Sequence, residues 1–257
     1  MRTPILAGNW KMHKTIAEAL EFVKAVHGPL NDFPRVEKVI CAPFISLAPL
    51  SEALRGTGIQ LGAQNMHWED QGAYTGEVSP LMLKGLCDLV IIGHSERRQL
   101  FGETDETVNR KTKAALTHSL TPIVCVGESL EQNRAGETEA CVGEQVRAAF
   151  DGISAGQAVR IVVAYEPIWA IGTGIACPPE DANRIIGGVV RATLASLYGD
   201  AVAQAIRIQY GGSIKPDNVT ELMQQPEIDG GLVGGASLNP ADFVTLVRAS
   251  AQAKGLA

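Results

Sequence analysis

"RIVVAYE", residues 160–166, is a near-continuous apolar run that ends in a glutamate. It lacks the strict alternation of a strand with one face in water. It suits a strand buried on both faces, as in a parallel sheet. Seven further short β-rich runs recur, and most also lack that alternation: PILAGNW (4–10), EKVICAP (37–43), IQLGAQN (59–65), DLVIIGH (88–94), TPIVCVG (121–127), IRIQYGG (206–212) and IDGGLVGG (228–235). Helical patterns with start signals lie between them. Thr15 and Glu18 make a capping box ahead of IAEALEFVKAV, and Ser129 with Gln132 repeats it. Ser79-Pro80 offers an N-cap and a proline at the first helical position before LMLKGL. Pro178 and Pro179 precede EDANRIIGGVVRATLASL, which is apolar at helical spacing. Strand and helix alternating along the whole chain predict parallel βαβ units. Eight such units in 257 residues predict a (β/α)8 barrel, eight parallel strands with outer helices. A doubly wound open sheet is the alternative, but it usually carries a glycine-rich dinucleotide turn after its first strand. Here that strand ends GNWKM. No linker or charge block divides the chain, so residues 1–257 read as one domain.

Composition narrows the function. Hydrophobic residues make up 46% and charged residues 19%, ordinary for a globular protein. A formal net charge of −6 argues against nucleic acid, whose phosphates demand a basic face. The five cysteines, Cys41, Cys87, Cys125, Cys141 and Cys177, form no CxxC pair and read as free thiols of a reducing compartment. MRTPILAGNWKMHK reaches polar residues too soon for a signal peptide. No stretch has the apolar length of a membrane span, so a cytoplasmic protein with no membrane partner is expected.

The polar residues fall at the C-terminal ends of the runs. They include Asn9 and Lys11, Gln64 and Asn65, His94-Ser95-Glu96, Glu128, Glu166, Gly211-Gly212-Ser213 and Gly234-Gly235. In a barrel these ends converge on the rim where active sites sit. YGGS (210–213) and VGGAS (233–237) follow the last two runs. One Gly-Gly pair reads as a tight turn. Two pairs after the last two strands read as backbone amides that bind phosphate. Lys11 alone is an ordinary solvated lysine, but on that rim it would face a phosphate and a developing oxyanion. His94 precedes Ser95, an expected N-cap for SERRQLF. A helix N-terminus disfavours imidazolium, leaving a neutral ring able to donate to a carbonyl. Glu96 beside it reads as a supporting group or an exposed acid. His13, His27, His67 and His118 lack such a setting, and no side-chain spacing suits a metal, so none is expected. Glu166 is costly to bury without work or a partner. Pro167 stiffens the exit, and apolar IWAI between prolines and glycines reads as a lid that closes over a ligand, with a static packed loop as the alternative.

AGNWKM (7–12), EVSPLMLK (77–84), IIGHSERR (91–98), AYEPIWAIGTG (164–174), YGGSIKP (210–216) and GLVGGASL (231–238) resemble the motifs of the triosephosphate isomerase family, in its order and spacing. The resemblance implies a TIM barrel that interconverts dihydroxyacetone phosphate and D-glyceraldehyde 3-phosphate without a cofactor. It makes Glu166 the general base, His94 the neutral electrophile, and Asn9 and Lys11 substrate contacts. Gly172, Ser213, Gly234 and Gly235 match phosphate-gripping positions. Ile171 and Leu232 match a pair that clamps the base, and apolar walls would raise its pKa. Trp169, Tyr165 and Glu128 resemble open-lid contacts, and Tyr210 with Ser213 closed-lid contacts. The irregular loop QNMHWEDQGAYTGEVSP (64–80) should project into a second subunit of a symmetric homodimer, with Thr75 near the partner's site. Read without the resemblance, that loop could equally be a surface lid. One departure is visible: the family commonly has a basic and then a small residue where Ile175 and Ala176 stand. A β-branched hinge residue predicts modestly altered lid kinetics.

Overall fold

The computed structural model describes residues 2–172 and 177–256. Ile175 and Ala176, where the hinge expectation falls, lie outside the described residues. Each apolar run contributes one strand: β1 (Ile5–Asn9), β2 (Glu37–Ala42), β3 (Ile59–Ala63), β4 (Leu89–Ile92), β5 (Thr121–Val126), β6 (Val162–Tyr165), β7 (Arg207–Tyr210) and β8 (Gly230–Val233). Neighbours pair in parallel, and β8 returns to β1 to close the barrel. Runs such as LVII of β4 and VVAY of β6 are near-continuously apolar because both strand faces are buried. Ile5, Ala7, Val39, Leu89, Ile91 and Ile123 pack together inside the barrel. Alternate residues such as Leu6, Ile40, Val90 and Val124 pack outward against the helices.

The Thr15–Glu18 and Ser129–Gln132 capping boxes are formed, the first opening the helix Ile16–Leu30. Thr104 with Thr107, and Ser154 with Gln157, add two more that the sequence reading missed. Ser79 does cap a helix, but it spans only Pro80–Leu83. Lys84 leaves helical geometry and Gly85 adopts a φ of 85°, so LMLKGL is not one helix. The helix after Pro178 continues from Pro179 to Tyr198, with Ile186–Arg191 wound as a π-helix. That segment sends Arg191, 3% exposed, to the carbonyls of Ala203 and Ile206 and to Asp229 just before β8. These contacts consolidate the barrel end opposite the candidate site. Among the described residues, no helix is long and apolar enough to cross a membrane. All five cysteines are free thiols, and four are buried.

Candidate active site

The C-terminal rim holds a pocket of about 240 Å³. From β1 come Asn9, 5% exposed, and Lys11. Lys11 has a left-handed φ of 51°, unfavourable for a residue with a side chain. The chain holds it there from both sides. Its N–H donates to Asn9 Oδ1 (3.1 Å), and its carbonyl accepts from Gln64 Nε2 (2.9 Å). Gln64 therefore works behind Lys11 rather than in the pocket. Lys11 Nζ meets Glu96 Oε1 at 2.6 Å, so Glu96 is the half-exposed counter-charge of the lysine.

His94 follows β4 and is itself the N-cap of the helix Ser95–Phe101. Ser95 is the first helical residue, not the cap expected from sequence. The ring replaces the hydroxyl because its Nδ1 accepts from the Glu96 N–H at 3.2 Å. With Nδ1 an acceptor, the proton of the neutral ring falls on Nε2. That nitrogen lies 3.0 Å from Glu166 Oε1.

Glu166 follows β6, and its side chain is 2% exposed. Its other oxygen accepts from the Ser95 N–H at 3.0 Å. Two glycines make room for it. A Cβ at Gly127 would stand 1.8 Å from the Glu166 carbonyl oxygen, and one at Gly211 would stand 2.8 Å from Glu166 Cγ. Burial pushes the Glu166 carboxyl up, but His94, the Ser95 N–H and Lys11 outweigh it, and the pKa lies below the usual carboxylate value. The raised pKa expected when Ile171 and Leu232 clamp the base on closure is not the state of this arrangement, in which His94 and the Ser95 N–H hold the carboxylate. His94 shows the converse. Burial pushes its pKa down, but the Glu166 carboxylate pulls harder, leaving it above the ordinary histidine value. The expected suppression of imidazolium is thus overridden while the two side chains touch.

Ile171 and Gly172 close the β6 side of this pocket, and Leu232 of β8 forms part of its wall. Ser213 lines it after β7, and Gly234 and Gly235 after β8. The remaining sequence candidates lie elsewhere. Asn65 Oδ1 accepts from Lys111 Nζ at 2.8 Å. Glu128 is fully buried, and its Oε1 accepts from Trp169 Nε1 (2.8 Å), Tyr165 OH (3.2 Å) and Asn133 Nδ2 (3.2 Å). Trp169 sits in a short 3₁₀ turn, Ile168–Ala170, just beyond Pro167. Tyr210 is buried behind the pocket, and burial raises its phenol pKa. Thr75 is exposed on the 64–80 loop.

The sequence reading missed Gly127, the Ser95 amide and the part played by Gln64. Gly127 and Gln64 are visible as strand endings, but nothing local distinguishes them from ordinary turn and polar residues. Burial and then the adjacent Glu166 carboxylate push the Cys125 thiol pKa well up. Burial likewise pushes Cys177 up to about 12. Among the described residues, no group of three or more His, Cys, Asp or Glu could hold a metal ion.

A carboxylate and an imidazole in contact, facing amide-rich glycine turns across one rim, define a (β/α)8-barrel enzyme that moves protons on a small anionic substrate. The family model described as triosephosphate isomerase matches residues 4–250. A triosephosphate isomerase of Herpetosiphon aurantiacus is 54% identical over 249 residues, covering 96% of this chain and 99% of the relative. Those of Thermoanaerobacter pseudethanolicus and Clostridium perfringens are 54% and 52% identical over 248 residues, with the same coverage. The chain belongs to the triosephosphate isomerase family.

Proposed function

We propose a division of labour among the pocket residues for the reaction of this family. The chain interconverts dihydroxyacetone phosphate and D-glyceraldehyde 3-phosphate, a cofactor-independent isomerisation of glycolysis and gluconeogenesis that proceeds by proton transfer through an enediolate. A proton next to a carbonyl is a weak acid, so its removal needs a positioned base and a stabilised oxyanion. Glu166 is the base and carries the proton between the two substrate carbons. His94 donates Nε2–H to the carbonyl oxygen and moves protons between the enediolate oxygens. Lys11 supplies positive charge, and Asn9 orients the substrate. The phosphate rests on backbone amides of Gly172, Ser213, Gly234 and Gly235. The observation that carries this reading is the contact of Glu166 with His94 inside the pocket, at 3.0 Å.

The segment carrying Ile171 and Gly172 acts as a lid. Closure brings Ile171 and Leu232 against the carboxylate, strips its water and raises its basicity. The Trp169–Glu128 hydrogen bond holds the open position, and Tyr210 with Ser213 receives the closed one. Water exclusion also protects the enediolate from losing its phosphate.

The reading extends to a symmetric homodimer in the cytoplasm. Met12, Phe44, Ile45, Tyr74, Leu81, Met82 and Phe101 are large exposed apolar residues on segments that follow β1 to β4, four neighbouring strands. Such a concentration suits a covered surface. The 64–80 loop reaches across it and places Thr75 near the partner's Asn9 and the partner's Lys11.

The test is isomerisation of glyceraldehyde 3-phosphate by the parent enzyme and Glu166→Asp. Retracting the carboxylate lowers kcat by roughly 10²-fold or more, since small misplacements of a base are expensive. An unchanged rate would remove Glu166 as the base.

A further inference from the structure

We propose that Lys215 draws the anionic substrate into the pocket from solution. This rests on the phosphorylated-triose reading above. The chain carries a formal net charge of −6, so a phosphate dianion approaches against the overall field. The pocket's own charges do little to reverse it. Glu166 is an anion, and Lys11 is engaged by Glu96 at 2.6 Å. Lys215 also lines the pocket, its side chain is exposed, and among the described residues it makes no ion pair. It is therefore the uncompensated cation at the mouth.

Its place at the lip is fixed by the backbone. The Lys215 N–H donates to Asn218 Oδ1 at 2.8 Å, and Asn218 Nδ2 donates to the Ser213 carbonyl at 3.0 Å. One asparagine thus clasps the turn from the phosphate-facing Ser213 to the lysine. Pro216 further restricts the Lys215 backbone to extended conformations. A mobile ammonium on a fixed base suits steering, which needs charge near the entrance rather than a defined contact.

The experiment measures kcat and kcat/KM for glyceraldehyde 3-phosphate from low to physiological ionic strength in the parent, Lys215→Met, Lys215→Arg and Lys24→Met. Lys24 is an exposed lysine of the helix Ile16–Leu30 that does not line the pocket, and it controls for net charge. At low salt, Lys215→Met lowers kcat/KM by roughly 3- to 10-fold with kcat within about twofold, a modest share of the range that steering commands. The deficit shrinks as the screening length falls from about 30 Å at 0.01 M to about 8 Å at 0.15 M. Lys215→Arg keeps the parent value, and Lys24→Met changes little. A kcat/KM equal to the parent's at low salt overturns the inference, as does a deficit of the same size at every salt concentration. An inactive parent enzyme would instead overturn the substrate reading beneath it.

Discussion

Gly211→Ala puts a methyl group against the middle of the Glu166 side chain. The new Cβ lies 2.8 Å from Glu166 Cγ and 3.2 Å from the Tyr165 carbonyl oxygen. Carbon atoms rest about 3.5 Å apart, so one of the two must yield by roughly 0.7 Å. The backbone side is closed to the methyl, because the Tyr165 carbonyl stands there. The carboxylate side yields only by breaking contacts, since its oxygens are held at 3.0 Å by the Ser95 N–H and by His94 Nε2. A displacement of about 1 Å in a catalytic group costs around 10²-fold in rate. The shift therefore lowers kcat by roughly 10- to 100-fold, or about 1.4–2.7 kcal/mol in the barrier. KM changes little, because the proposed phosphate grip uses other amides. Overpacking also destabilises the fold by about 1–3 kcal/mol, which a thermal melt reads separately. Steady-state kinetics in both directions supply the assay. A folded variant with kcat within twofold of the parent would refute the idea that Gly211 exists to leave space for the base.

Two further outcomes follow from the charges and the loop. In Glu166→Gln, His94 loses the carboxylate that raises its pKa and keeps the burial that lowers it, while Glu96 and Lys11 remain and oppose each other. The imidazole then gives up its proton at a lower pH than in the parent, as read by NMR titration of the ring, and an equal or higher pKa refutes the assignment. Thr75→Arg places a long cation at the proposed subunit contact, so sedimentation should find monomers and activity should drop at least about tenfold as Lys11 loses its support. A variant that stays dimeric removes Thr75 from the interface.

The barrel was legible because burial on both strand faces leaves an apolar run that needs no periodicity argument, as in β4 and β6. The rim residues were legible because each closes such a run. Where the reading slipped, two chemically plausible answers stood side by side in the sequence. Ser95 is the commoner cap, but His94 took the role because its Nδ1 reaches the Glu96 N–H. The helix after Ser79 stopped early because Gly85 turns left-handed, which a glycine permits but does not announce. The left-handed backbone of Lys11 and its lock by Gln64 have no sequence signature, since both depend on β1 and β3 ending at one rim. The lowered pKa of Glu166 could not be read either, because it depends on His94, 72 positions earlier in the chain, and on the amide beside it.

The paired pKa shifts bear on how the proposed reaction begins. At rest, Glu166 and His94 satisfy each other, which makes the carboxylate a weaker base and the imidazole easier to charge. Neither state suits catalysis. Moving the carboxylate toward the substrate corrects both at once. It leaves the Ser95 N–H and the imidazole for the apolar neighbourhood of Ile171 and Leu232, so its basicity rises. The imidazole loses its nearest anion while Nδ1 stays bonded to the Glu96 N–H, so the ring is held neutral with Nε2–H facing the carbonyl. On this proposal the resting contact is an off state, and one side-chain movement sets both protonation states that proton abstraction requires.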